Sequence, residues 1–115
     1  MQLTERRVGP VTILDLDGKM TLLNHPGRVK DTVTRLIFRG RKNIVLNLEN
    51  VTYVDSCGLG ELVSCYTTAS GHSATVKLAN AERRIQDLLV LTRLLTIFDC
   101  YESEADAIAS FAVAA

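Results

Sequence analysis

Asn43-Ile-Val-Leu-Asn-Leu48, followed by Val51-Thr-Tyr-Val-Asp-Ser-Cys-Gly-Leu-Gly60, is the stretch that decides the fold. Its first part is compact, β-rich and almost continuously apolar, the pattern of a strand covered on both faces. Val51 to Val54 then leads into small and polar residues with two glycines. Beyond them Leu59, Leu62, Val63 and Tyr66 recur at helical spacing, predicting a helix that ends near Gly71. A buried strand, a tight turn and a helix in succession form the repeating unit of a parallel sheet.

The same alternation continues in both directions. Upstream, Gln2 to Val8 reads as an edge strand broken by Gly9-Pro10, a hairpin signal. Val11 to Leu16 reads as the next strand, closed by Asp17-Gly18. A loop runs through Asn24-His25-Pro26, with the proline suited to a first helical turn. Val29, Val33, Leu36 and Ile37 mark an amphipathic helix ending at Gly40. Downstream, Ala74 to Leu78 alternates like a strand with one solvated face. Ile85, Leu88 and Leu89 line a helix over Glu82 to about Leu91, and Leu95 to Phe98 reads as a last short strand. Ser103-Glu-Ala-Asp106 has the form of a capping box, opening a helix with Ala105, Ile108 and Ala109 inward. The order β-β-α-β-α-β-α-β-α predicts one α/β domain: a mixed, mainly parallel sheet of about five strands with about four helices.

Composition narrows the function. The chain has 115 residues, nearly half of them hydrophobic, enough for one domain burying roughly two thirds of its unfolded surface. Thirteen basic and thirteen acidic residues give no net charge, which argues against a nucleic-acid binder. Six of the cations (Arg28, Lys30, Arg35, Arg39, Arg41, Lys42) crowd one segment with Asp31 alone against them, reading either as a solvated helix face or as a dock for an acidic partner. Cys57, Cys65 and Cys100 match no zinc spacing and contain no CxxC, so reduced thiols and no metal are expected. Met1 to Pro10 is polar and charged, unlike a signal peptide, and no apolar run is long enough to span a bilayer; a cytoplasmic location is expected. Nothing in the chain repeats.

Asp55 to Gly60 is the segment with chemical content. Ser56 reads as an N-cap, and the glycines as aids to tight packing. The same geometry admits a second reading. A helix N-terminus carries unpaired N–H groups and partial positive charge, so a phosphate on Ser56 would be tolerated there, next to the like charge of Asp55. A phosphate would then be felt mainly by whatever docks on this surface. Ser56 or Cys57 could also be a nucleophile, since parallel strands would bring the loops carrying His25 and Ser56 to one sheet edge. No G-x-S-x-G elbow, third member or oxyanion scheme accompanies them, so catalysis is not expected and no cofactor is implied.

Val54-Asp55-Ser56-Cys57-Gly58-Leu59-Gly60 resembles the signature of the STAS family, the anti-sigma factor antagonists of bacteria, whose usual run is Asp-Ser-Ser-Gly-Leu-Gly at a helix start. Val11 to Gly18 resembles the family's second strand, Ile44 to Leu48 the strand before the signature, and Leu94 to Phe98 with Tyr101 to Ala107 its C-terminal end. The resemblance covers nearly all of residues 1–115. It implies that Ser56 accepts phosphate from a partner anti-sigma factor that is itself a protein kinase. It further implies that the unmodified protein binds this partner and frees a sigma factor, while phosphorylation releases the partner. Asp55, Cys57, Gly58, Leu59 and Gly60 would form the switch loop and partner-binding surface. Cys57 stands where the family usually has a second serine, replacing a hydroxyl by a weaker hydrogen-bonding thiol. The resemblance also admits a scaffold role in a stress-signalling assembly, an accessory role beside an ABC transporter, and a homodimer.

Overall fold

Ile44, Val45, Leu46 and Leu48 are all fully buried, because the strand that carries them lies in the middle of the sheet. In the computed structural model, which describes residues 1–24 and 27–111, the elements are β1 (Gln2–Val8), β2 (Val11–Met20), α1 (Arg28–Phe38), β3 (Asn43–Val54), α2 (Ser56–Gly71), β4 (Thr75–Ala79), α3 (Arg83–Leu91), a 3-10 turn (Leu94–Thr96), β5 (Cys100–Tyr101) and α4 (Glu104–Ala109). The five strands lie in chain order, β1-β2-β3-β4-β5. β1 is antiparallel to β2 and the other pairs are parallel, so the mixed, mainly parallel α/β sheet expected from the sequence is present.

Side-chain alternation divides the strands between two cores. Ile44, Leu46 and Leu48 face one way and pack with Val29, Val33, Leu36 and Ile37 of α1, Leu62, Cys65 and Ala69 of α2, and Ile85 and Leu89 of α3. Val45 faces the other way and joins Val11, Ile13, Ala79 and Ala107. Helices α1 to α3 therefore cover one face, while α4 covers the other.

Several boundaries differ from the sequence reading. β2 runs on to Met20 instead of closing at Asp17-Gly18. Gly18, at φ 121°, sits beside a register shift between β2 and β3, so the glycine absorbs an irregularity without ending the strand. β3 is one strand through Val54, with the polar Glu49 and Asn50 exposed along it. β4 has no solvated face: Lys77 is buried, its Nζ donating to Ser110 Oγ at 2.7 Å and lying 4.3 Å from the Phe111 ring centre. Leu94–Thr96 is a 3-10 turn, and the last strand is Cys100–Tyr101. Arg93 at φ 63° turns the chain there, and only Phe98 of the expected Leu95 to Phe98 strand is buried. In α4 the inward residue is Ala107, with Ile108 half-buried and Ala105 and Ala109 exposed. The Ser103 cap, whose Oγ accepts the Asp106 N–H, fixes the helix phase. Pro26 lies outside the described residues.

Leu62 is fully buried at the centre of the α2 contact. Leu62→Ala is expected to cost about 2–5 kcal/mol in urea unfolding. A loss below about 1 kcal/mol would show that α2 does not pack through this residue.

Candidate functional site

Met20 and Val54 are paired at the ends of parallel strands β2 and β3, so the loops that follow them share one edge of the sheet. Asp55 opens the second of these loops in an extended conformation (φ −98°, ψ −174°). Its Oδ1 accepts the Gly58 N–H at 2.9 Å, and its Oδ2 accepts the Leu22 N–H at 3.0 Å. Its own N–H donates to the Met20 carbonyl at 3.1 Å. Asp55 is thus the N-cap of α2, and Ser56, expected in that role, is the first helical residue. The aspartate carboxylate takes the cap amide and reaches across to the turn after β2 as well. The N–H groups of Leu22 and Gly58 hold its carboxyl below the usual carboxylate range. Its contribution to stability is therefore complete above the pH at which an unfolded aspartate ionises, and is lost as pH falls through the depressed folded value.

Behind the cap, the two glycines differ. A methyl group on Gly58 would lie 2.2 Å from the Met20 carbonyl oxygen and 2.9 Å from Val54 Cγ1, so no side chain fits. A methyl on Gly60 would meet nothing within 4 Å. Tight packing accounts for Gly58 but not for Gly60. Ser56, Cys57 and Gly60 are exposed and Leu59 is half-buried, so the first turn of α2 offers an outward surface of small, uncharged residues.

Glu61 was absent from the sequence reading. Its Oε2 accepts the N–H groups of Val29 at 2.7 Å and Lys30 at 3.0 Å, capping α1 from the neighbouring helix. The signal was indirect. The α1 N-cap is Gly27, which has no side chain to satisfy the first amides, so an acceptor has to come from elsewhere. An anion at a helix N-terminus is favoured by the helix dipole as well.

The remaining candidates lie apart from this edge. His25 lies outside the described residues, and His72 caps the far end of α2. Cys57 is exposed, whereas Cys65 is buried in the core and Cys100 is half-buried; all three are free. Burial pushes the Cys65 thiol up to about 12, with Glu61 adding to the effect, and pushes Cys100 up to about 11. Among the described residues, no group of three or more His, Cys, Asp or Glu side chains is arranged to hold a metal, and no helix is long and apolar enough to cross a membrane. The basic segment lies on α1 and the turn after it. Arg28 donates to the Met1 carbonyl and Lys42 to that of His72.

The glycines separate fold from surface in a way unfolding can measure. Gly58→Ala is expected to destabilise the protein by several kcal/mol, on the order of an overpacked core site or more, because backbone cannot yield. Gly60→Ala should leave stability unchanged or raise it by up to about 1 kcal/mol, the helix-propensity gain. Equal effects in parallel urea titrations would overturn the distinction.

Comparison with known proteins agrees with this architecture. The STAS domain family model matches residues 2–107. A STAS-domain containing protein of Pseudomonas aeruginosa (strain UCBPP-PA14) is 30% identical over 69 residues, covering 60% of this chain and 67% of that protein. Among solved structures, a Thermotoga maritima protein assigned as an anti-sigma factor antagonist superposes with a TM-score of 0.86 at 24% identity, over 94% of this chain and 92% of the other. The Bacillus protein SpoIIAA in its phosphorylated form gives a TM-score of 0.71 at 16% identity, over 95% and 98%. At these identities the solved structures share the fold, and the family match carries the assignment: this chain belongs to the STAS domain family.

Proposed function

We propose that this protein is an anti-sigma factor antagonist, switched off when a partner anti-sigma factor kinase phosphorylates Ser56. The observation that carries the proposal is the position of Ser56. It is exposed in the first turn of α2, directly after the capping Asp55, on ground that is free of large side chains. SpoIIAA, an anti-sigma factor antagonist of the same fold, is known in phosphorylated and unphosphorylated forms, which supports the comparison. The chain has no G-x-x-x-x-G-K-[ST] loop, so the phosphate donor is bound by the partner. In this reading the protein acts in the cytoplasm by binding protein, without contacting nucleic acid or performing chemistry of its own.

The switch is electrostatic. The partner covers Ser56, Cys57 and Gly60, with Asp55, Gly58 and Leu59 shaping the surface beneath. A phosphate adds a charge of about −1.5 to −2 next to the ionised Asp55. Burying that charge under a partner weakens the complex through like-charge contact and desolvation. A penalty of about 3 kcal/mol already loosens binding roughly a hundredfold.

The test is incubation with the anti-sigma factor kinase and ATP, mapping of the phosphate, and titration of both forms against the kinase. Phosphate is expected on Ser56 alone, with binding at least a hundredfold weaker afterwards. Ser56→Ala should bind normally and accept no phosphate. Ser56→Asp should imitate release in part, since a carboxylate carries less charge. Phosphate at another residue, or equal binding by the two forms, would overturn the proposal.

A further inference from the structure

Leu22 is 60% exposed and Leu23 is 91% exposed, the latter more than any other large hydrophobic residue described. A lone exposed leucine is ordinary. These two are adjacent and are held outward by a built turn. The Asn24 N–H donates to the Thr21 carbonyl at 3.1 Å, and Asn24 Nδ2 to Thr21 Oγ1 at 2.8 Å. The Leu22 N–H is fixed to Asp55 Oδ2, and the Asp55 N–H to the Met20 carbonyl just before the turn. The turn is therefore pinned to the residue that immediately precedes Ser56.

We infer that Leu22 and Leu23 are the apolar anchor by which the kinase partner grips the Ser56 surface, with Asp55 as the positioning residue that presents them. The inference rests on the reading of Ser56 as phosphoacceptor and adds what holds the partner there. The Leu22 amide is one hydrogen bond from Asp55, the residue before Ser56, so a protein seated over Ser56 Oγ lies beside the turn that carries the two leucines. The exposed first turn of α2 suits the centre of a protein contact, where charged groups are depleted and apolar anchors fill pockets. Ser56, Cys57 and Gly60 are uncharged, and both oxygens of the one charged group, Asp55, are engaged within the fold. Because the turn is fixed before binding, little ordering entropy opposes docking. The occupant is an apolar pocket on the kinase, beside the cleft that receives the serine.

Leu23→Ser tests this without disturbing the core. Kinetics of Ser56 phosphorylation by the partner kinase should show KM raised about ten- to a hundredfold, the worth of one buried leucine, with kcat near that of wild type. The urea midpoint should not move. In the free protein, amide exchange at Leu22 should be slow in wild type and fast in Asp55→Ala, which removes the Oδ2 acceptor. An unchanged KM for Leu23→Ser, with Ser56 phosphorylated normally, would overturn the anchor while leaving the switch intact. Failure of the wild-type chain to accept phosphate at Ser56 would instead remove the switch itself. Sedimentation showing wild-type self-association that Leu23→Ser abolishes would assign the leucines to a second copy of the chain. Binding of wild type, but not Leu23→Ser, to phosphatidylglycerol vesicles would assign them to a bilayer. Either result also overturns the proposal.

Discussion

Among the glycines, Gly58 alone has no room for a side chain, because the Met20 carbonyl stands against it. Only a residue without a Cβ lets the first turn of α2 lie against the end of β2. That approach seats the start of α2 against β2, and Leu62, Cys65 and Ala69 reach the core in successive turns. It also puts Asp55 within reach of both structures it bonds, the α2 cap and the turn after β2. α1 depends on the same placement, because Glu61, one turn into α2, supplies the acceptor that Gly27 lacks. The fold and the Ser56 surface thus rest on a shared set of contacts, and a substitution that lifts α2 disturbs both.

The opposite face of the sheet is held by a different chemistry. α4 has only six residues and buries little more than Ala107 by itself. Polar bonds add to its attachment. Glu104 accepts from Arg6 and from Asn47 Nδ2, while Arg6 also binds Asp15, with Nη2 at 2.9 Å from Oδ1. Arg6 is substantially exposed, so its ion pairs contribute modestly, about 1 kcal/mol or less each. Asn47 matters differently. It is buried, and its Oδ1 receives the Glu49 N–H and the Asn80 amide, so each of its polar atoms has a partner. These bonds sit on the face turned away from α1 to α3, leaving the Ser56 edge free of this network.

Sequence patterns revealed the elements where a single rule governs each residue. Ile44 to Leu48, the α1 stripe and the Leu62 face of α2 are read from hydrophobic spacing, since burial alone places them. The misreadings fall where a residue serves a structure other than its own element. Lys77 made β4 look half-solvated, although its amine is accommodated by Ser110 and the rings of Phe111 and Tyr101, from distant segments. Gly18 looked like a terminator but sits within a bulged strand. Asp55 and Ser56 are both good caps, and their order is decided by the Leu22 amide, which no local pattern contains. Glu61 works across two helices and leaves no periodic trace. The motif identified Ser56 as a candidate, whereas the neighbouring leucines became conspicuous only once their exposure and the pinned turn were visible.

The geometry also bears on how a phosphate at Ser56 would act, on the reading proposed above. A phosphate at a helix start ordinarily gains by taking the free amides there. Here the Gly58 amide is already bonded to Asp55, and the other Asp55 oxygen is committed to Leu22. Asp55 is ionised at neutral pH, since those amides hold its carboxyl below the ordinary range. A phosphate on the next residue therefore meets a fixed negative charge and finds this cap amide occupied. Refolding around it would break a cap and the tether to the turn after β2 for a gain already realised by the aspartate. The lower-energy arrangement leaves the loop in place with the phosphate turned outward, where its charge is met by the docking partner. A pinned loop of this kind converts a local modification into a change at the interface, with the fold beneath left as it was.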